Sequence, residues 1–403
     1  MLRRTISRPL SLAVGAGTAL TAFGVAAPAQ ATVDCTGGVT INATETALRA
    51  AITNGETLIC INPGTIDLSS AGTDGSADPI EITNASLSLY ALGDVTFDGG
   101  GETDAALLST GTADEDLTVD GFTFTGFDGQ NIEALGIVNL DSTTGTVTVV
   151  NSTFTNNSGY AMVSATDYWS DGLADVVVDN TVFDGNTAWN GQVWGKADVT
   201  VTNSTFVYND SGSSIDSAGQ RNPASDTTVI SGNYFSTNSA DDTLVYLGGG
   251  LARVYNNTFD SNTYSGSGWG GVVSIESDQD AEIAFNTFAY NVSASNGDIR
   301  IGTNTSVGLL GNIWITETDG ALESHDVTDT TAVFADQGGN FSTADDSAFL
   351  DSTHSSNNVS VEALDLTAPA LALLAVPALT VGTGLLMSRG VLRQPPLAIL
   401  RSE

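Results

Sequence analysis

The sequence predicts an all-β solenoid built from stacked coils. Three observations carry this. An aromatic residue recurs every 23 to 30 residues, an aliphatic residue stands five positions before it, and an asparagine often stands three positions after it. The aromatics are Phe124, Phe154, Phe183, Phe206, Phe235, Phe259, Phe288 and Trp314. The aliphatic partners are Val119, Val149, Val178, Val201, Ile230, Val254, Ile283 and Leu309, and the residue two places before each is apolar or small. Spacing by two puts these side chains on one face of a β-strand, pointing at a core. A unit of about 27 residues is too short for immunoglobulin-like domains of about 100, and the leucine pattern of leucine-rich repeats is missing.

Each element of a unit then has its reason. The strand before the aromatic is rich in Val, Thr and Ile. The asparagines after it are Asn157, Asn186, Asn209, Asn238, Asn262 and Asn291, and others precede it, among them Asn151, Asn180, Asn203, Asn256 and Asn312. Asparagine tolerates the left-handed backbone of a tight corner. Stacked in successive coils, its amides can bond one another as a ladder. A second strand follows, as in Gln192-Val193-Trp194, Ser214-Ile215-Asp216, Leu244-Val245-Tyr246, Val273-Ser274-Ile275 and Asp298-Ile299-Arg300.

The Asn-x-x-Phe-x-x-Asn units, such as Asn151-Ser-Thr-Phe154-Thr-Asn-Asn157, resemble those of right-handed parallel β-helix proteins of the pectin-lyase-like superfamily. They are also similar to the repeats of bacterial secreted proteins related to the polymorphic outer-membrane proteins. The resemblance covers roughly residues 35–342 and implies a right-handed parallel β-helix with a short N-terminal capping helix at Ala47–Ile52. Residues 59–66 look like the first coil. A cap is needed because a solenoid end exposes strand edges and an apolar cross-section.

The ends of the chain read differently from its body. Residues 1–31 have the form of a signal peptide: Arg3, Arg4 and Arg8, an apolar run, then Ala29-Gln30-Ala31. Residues 32–342 are the β-helix with its cap, and 343–367 are a C-terminal cap or linker. The apolar segment 368–388 has the length of one membrane span, and 389–403 is a short basic tail. A tail docked on the fold, or a sorting signal removed later, are the alternatives. This organisation implies an exported bacterial protein, extracellular or attached to the cell surface. Cys35 and Cys60 are the two cysteines, and in an oxidising compartment they are expected to form a disulfide; two buried thiols are the alternative.

Charge narrows the partners. Of 403 residues, 11 are basic and 47 acidic. Without six arginines and Glu403 at the ends, residues 32–367 carry 5 basic and 46 acidic groups, a net of −41. Such a field repels phosphate, which argues against nucleic acid. It also disfavours polyanionic substrates unless calcium bridges the two. No cofactor or metal motif is present, although calcium stays open.

The superfamily resemblance implies polysaccharide chemistry in a groove beside one sheet. The Gly-His-Gly and Arg-x-Lys motifs of polygalacturonase-like hydrolases are absent, and Asp241-Asp242 and Asp345-Asp346 are the Asp-Asp pairs. No lyase motif is recognisable. The outward positions of the second strands hold the remaining candidates: Ser164, Trp194, Lys196, Asp216, Tyr246, Ser274, Glu276, Asp298 and Arg300. Lys196, Asp216, Glu276 and Arg300 are the candidate catalytic groups. Asp216 and Glu276 are expected two coils apart, about 10 Å, the wide end of an inverting carboxylate pair. Mixed charges and aromatics are ordinary on a solvated sheet face, and that reading of these groups is preferred. Trp194 and Tyr246 are candidate sugar contacts. Tyr168-Trp169, Trp189 and Trp269 fall between strands, where they either form a binding face or cover the edge of a neighbouring coil; the second reading is preferred. Asp114-Glu115-Asp116 reads as a solvated corner. The first functional expectation is a non-catalytic, surface-displayed or secreted β-helix that binds glycan or another surface. A polysaccharide lyase or inverting glycoside hydrolase is the second, and a structural stalk or coat protein the third.

Overall fold

The computed structural model describes residues 35–342 and Ser355, except 70–78, 84–85, 102–104, 111–114, 130–135, 142–143, 166–173, 218–225, 265–270, 294–297, 316–321 and 325–332. The signal-like segment, the apolar segment 368–388 and the basic tail lie outside these residues, as do Trp169 and Trp269. Among the described residues no helix is long and apolar enough to cross a membrane.

Two parallel sheets, of 21 and 14 strands among the described residues, wrap one core. In the first sheet, strands such as Thr146–Val150 (TVTVV) alternate buried and half-buried residues, as β-branched sequences do when one face is covered. The repeat aligns in register: Val119, Val149, Val178, Val201, Ile230, Val254, Ile283 and Leu309 are successive Cα partners. So are the aromatics from Phe124 to Trp314. Their rings stack along the axis, with centroids 4.7 Å apart around Phe206 and planes within 9°. That spacing is the strand separation itself, so parallel in-register pairing produces ring stacking without further adjustment.

The asparagines build two internal ladders. Asn157 Nδ2 donates to Asn186 Oδ1 (3.0 Å), and the relay continues through Asn209, Asn238 and Asn262 to Asn291. Each amide also donates to a backbone carbonyl of a preceding coil, as Asn209 does to Phe183 O (2.9 Å). A second ladder runs from Asn233 through Asn257, Asn286 and Asn312 to Asn340. Asn151, Asn180, Asn203 and Asn256 hold the corner in the left-handed region, with φ from 48° to 55°.

At the N-terminal end the helix Glu45–Thr53 starts from Thr44, whose side chain accepts from Ala47 N, and buries Leu48 and Ala51. Cys35 and Cys60 form a disulfide beside it. At the expected solvated corner, Asp114 lies outside the described residues and Asp116 is exposed, but Glu115 departs from the expectation. Glu115 is buried, which raises its carboxyl above the usual range. Its backbone lies so close to Gly145 of the next coil that a Cβ there would collide. Asp116 Oδ1 accepts from Thr146 N (2.9 Å), tying the two coils.

Candidate functional site

The register of the second sheet shifts after its first residues, and there the coils differ by one residue. Gly159, Ala188 and Ser211 are successive partners, as are Val163, Val193 and Ile215. Between those pairs the Trp189 coil holds one residue more than its neighbours on either side. The next coil after Ser211 repeats the insertion, since Ala240 pairs with Ser211 and Val245 with Ile215. Trp189-Asn190 and Asp241-Asp242 therefore bulge on both sides of the shorter coil at Gly212. A bulge re-aims side chains away from the sheet. Gly212 permits it: a Cβ there would collide with the carbonyl oxygens of Trp189 and Asn190. Asp242 N donates to Gly212 O (3.1 Å), which fixes the second bulge.

The two bulges frame a cleft of about 350 Å³, lined among others by Gly159, Tyr160, Trp189, Asp210 and Asp241. Trp189 is 76% exposed. Its ring lies 6.1 Å from that of Tyr160, at 25°. Tyr160 leans in turn on Trp194 (5.7 Å, 51°), and Lys196 Nζ sits 5.6 Å above the Trp194 ring. The exposed indole is thus braced by a chain of rings rooted in the sheet, so little side-chain freedom is lost when a ligand stacks on it.

Beside this cleft is a second, of about 190 Å³, lined by Ser213, Asp216, Asp242 and Tyr246. Asp241 lines the first cleft and Asp242, its neighbour in sequence, the second. The Asp216 side chain is enclosed, and its Oδ1 is buried without a hydrogen-bond partner. Burial, reinforced by the charges of Asp242 and Glu276, pushes its pKa up to about 7. Tyr246 is raised by burial and by its hydrogen bond to the Glu276 carboxylate. Among the described residues no three His, Cys, Asp or Glu groups stand close enough together to hold a metal ion.

The candidate row has one register. Ser164, Trp194, Asp216, Tyr246, Ser274 and Arg300 are successive Cα partners. Their exposure differs from the expectation of an open face. Trp194 is 3% exposed and Arg300 4%, so Trp194, held under Tyr160 and Lys196, has no free face for a sugar. Arg300 stands three coils from Asp216, whereas Glu276 reaches Tyr246 and influences Asp216. Trp189 reverses its preferred reading: it covers no coil edge but projects from a bulge inside Thr187–Gly195. Tyr160 and Asp210 were not singled out by sequence. The signal was present in spacing: Asn157 to Val163 and Asn209 to Ile215 span six residues, but Asn186 to Val193 and Asn238 to Val245 span seven.

Residues 108–288 match the family model described as the right-handed beta helix region. Together with the parallel register of the described strands, this makes the fold a right-handed parallel β-helix. No curated protein matches it. Among solved structures it is similar to a mannuronic acid specific polysaccharide family 6 lyase enzyme from human gut microbiota. The identity is 9% and the TM-score 0.30, with 81% of this chain and 88% of that one covered. At those values the likeness carries no argument about activity.

Proposed function

We propose that this is an exported, surface-displayed β-helix that binds a neutral polysaccharide in the cleft between Trp189 and Asp241. The observation that carries this reading is the braced, 76% exposed Trp189 over a groove whose other wall is acidic. An aromatic face packs on the C–H surface of a sugar ring, and carboxylates accept from its hydroxyls. The net charge of −41 over residues 32–367 selects against uronate and sulfate polymers. The export part rests on residues 1–31 and 368–388, and N-terminal sequencing of the exported protein tests it by finding a start near Thr32.

Affinity electrophoresis against neutral and acidic polysaccharides tests the binding. Retardation by a neutral polymer, weakened about tenfold in Trp189→Ala, is expected; this corresponds to about 1.4 kcal/mol. Retardation by acidic polymers alone, or a Trp189→Ala protein that binds as wild type does, refutes the reading.

A further inference from the structure

Resting on the surface-displayed part of that reading, we propose that the outer face of the first sheet, over its C-terminal coils, lies against a membrane surface of zwitterionic lipid. The corners of that sheet carry the signal. One corner is held in successive coils by Asn203, Gly232, Asn256, Phe285 and Gly311, each donating its N–H to a carbonyl of the next coil. The other is held in the same way by Tyr208, Thr237, Ser261 and Tyr290. All have φ between 48° and 68°, a backbone that asparagine and glycine adopt readily and a bulky side chain does not. Phe285 and Tyr290 stand at the two corners of one coil, 56% and 43% exposed. The Phe285 ring lies against Gly311, where a Cβ would meet it at 2.7 Å. Strained backbone that holds an aromatic out in solvent points to function rather than packing.

Between the corners the surface changes character along the axis. Its two outward columns hold Thr123, Thr153 and Thr205, and Thr125, Thr155 and Asp184, in the earlier coils. The same columns reach Ile313 and Ile315, both half-buried, in the later ones. Tyr255, Phe285, Tyr290 and Val292 add exposed apolar surface there. Among the described residues the charged groups beside it are Asp260, Asp280 and the Arg253–Glu282 ion pair. An apolar patch with a polar rim marks a contact surface.

The course of the chain identifies the occupant. Beyond the last strand, Ser355 is fixed on the final coil, where its Oγ accepts from Asn340 N (3.1 Å) and donates to Asp336 Oδ1 (2.9 Å). Residues 356–367 then lead to the apolar segment 368–388, a reach of at most about 42 Å. Phe285 is two coils from that end, about 10 Å. A segment that enters a bilayer from there brings this face, and not the threonine-rich coils, to the interface, where Tyr and Phe side chains are favoured. The net charge of −41 over residues 32–367 selects zwitterionic over anionic headgroups and opposes a second copy of the chain.

The test uses the full chain with phosphatidylcholine vesicles. Thr287→Cys and Thr153→Cys fall in one column five coils apart, about 24 Å, and each takes a fluorophore, because Cys35 and Cys60 are tied in their disulfide. Quenching by phosphatidylcholine spin-labelled near its headgroup is expected at position 287 and not at 153. Phe285→Asn combined with Tyr290→Asn should abolish the quenching at 287 with a urea midpoint no lower than before, because Asn256 and Asn156 hold the equivalent corners of other coils. Equal quenching at both positions, or quenching at 287 that survives the double variant, overturns the proposal. Blue-shifted emission at 287 without quenching also overturns it, since the apolar segment or a second copy then covers the face. A chain that floats with the vesicles, solvated and unquenched at 287, overturns the contact and leaves the anchor standing. A chain that does not float overturns the anchor as well, and polymer retardation through Trp189 stands or falls separately.

Discussion

Replacing Asp216 by asparagine should stabilise the fold, and by an amount that depends on pH. The carboxyl titrates near 3.8 when the chain is unfolded and near 7 in the folded coil, where burial and the charges of Asp242 and Glu276 oppose ionisation. Its pKa is raised on folding, so the native state binds the extra proton between these values. The contribution to stability is complete below about pH 4 and is lost as pH rises through about 7. A gap of about three pKa units is worth about 4 kcal/mol at 1.36 kcal/mol per unit. Asparagine has nearly the same shape and never ionises, so it escapes this loss. Urea midpoints of both proteins measured from pH 4 to 8.5 should diverge upward, the variant gaining about 4 kcal/mol over wild type across that range. Carboxyl groups that do not interact with Asp216 cancel in the difference, which leaves Asp216 and its coupling to Asp242 and Glu276. Parallel profiles would refute the argument, since they would mean that Asp216 is no more proton-binding folded than unfolded. A residue whose removal stabilises the protein is kept for something other than stability, as functional sites often are.

Phe206 is fully buried between rings 4.7 Å away on both sides; Phe206→Ala should cost about 3–5 kcal/mol in urea melts, and Phe206→Asp should prevent folding. Asn209→Leu removes the acceptor for Asn186 N and Asn186 Nδ2 and strands buried donors, so a loss of at least 2 kcal/mol is expected, with lowered amide-exchange protection on the flanking coils. Gly212→Ala should displace the Trp189-Asn190 bulge and abolish polymer retardation while the far-ultraviolet spectrum stays wild-type, because the added methyl meets backbone rather than core.

The coil was legible because it is repeated. Each unit samples the same environments, so Val149, Val178 and Val201, or Asn186, Asn209 and Asn238, confirm one another where a single strand would be ambiguous. Alternation also gave the shared register of the second-sheet row from Ser164 to Arg300, although Ser164, Trp194, Ser274 and Arg300 on it are buried. Exposure was not legible, since period-2 spacing says which face a residue takes but not what covers that face. Trp194 lies under Tyr160, a residue 34 positions earlier in sequence, and no local pattern reports such a contact. Trp189 was misread for the complementary reason: a one-residue bulge leaves local composition unchanged and shows only as a seven-residue step where neighbouring coils take six.

That difference of one residue connects the scaffold to the site. A bulge breaks ladder hydrogen bonds and is tolerated only where adjacent coils are held independently. Here they are held by the Phe stack and by the asparagine ladder from Asn157 to Asn291, which passes through the same coils a few residues before the register shift. Two insertions flank a coil that lacks one, and that coil carries glycine at the point of closest approach. The cleft is therefore a mismatch in length between neighbouring coils, and its depth is set by how many residues each coil spends at the register shift. Lengthening the Gly212 coil by one residue would fill the hollow with its own bulge. Such a protein should keep its core and lose the cleft, which makes the insertion a sharper probe of site against scaffold than any side-chain substitution.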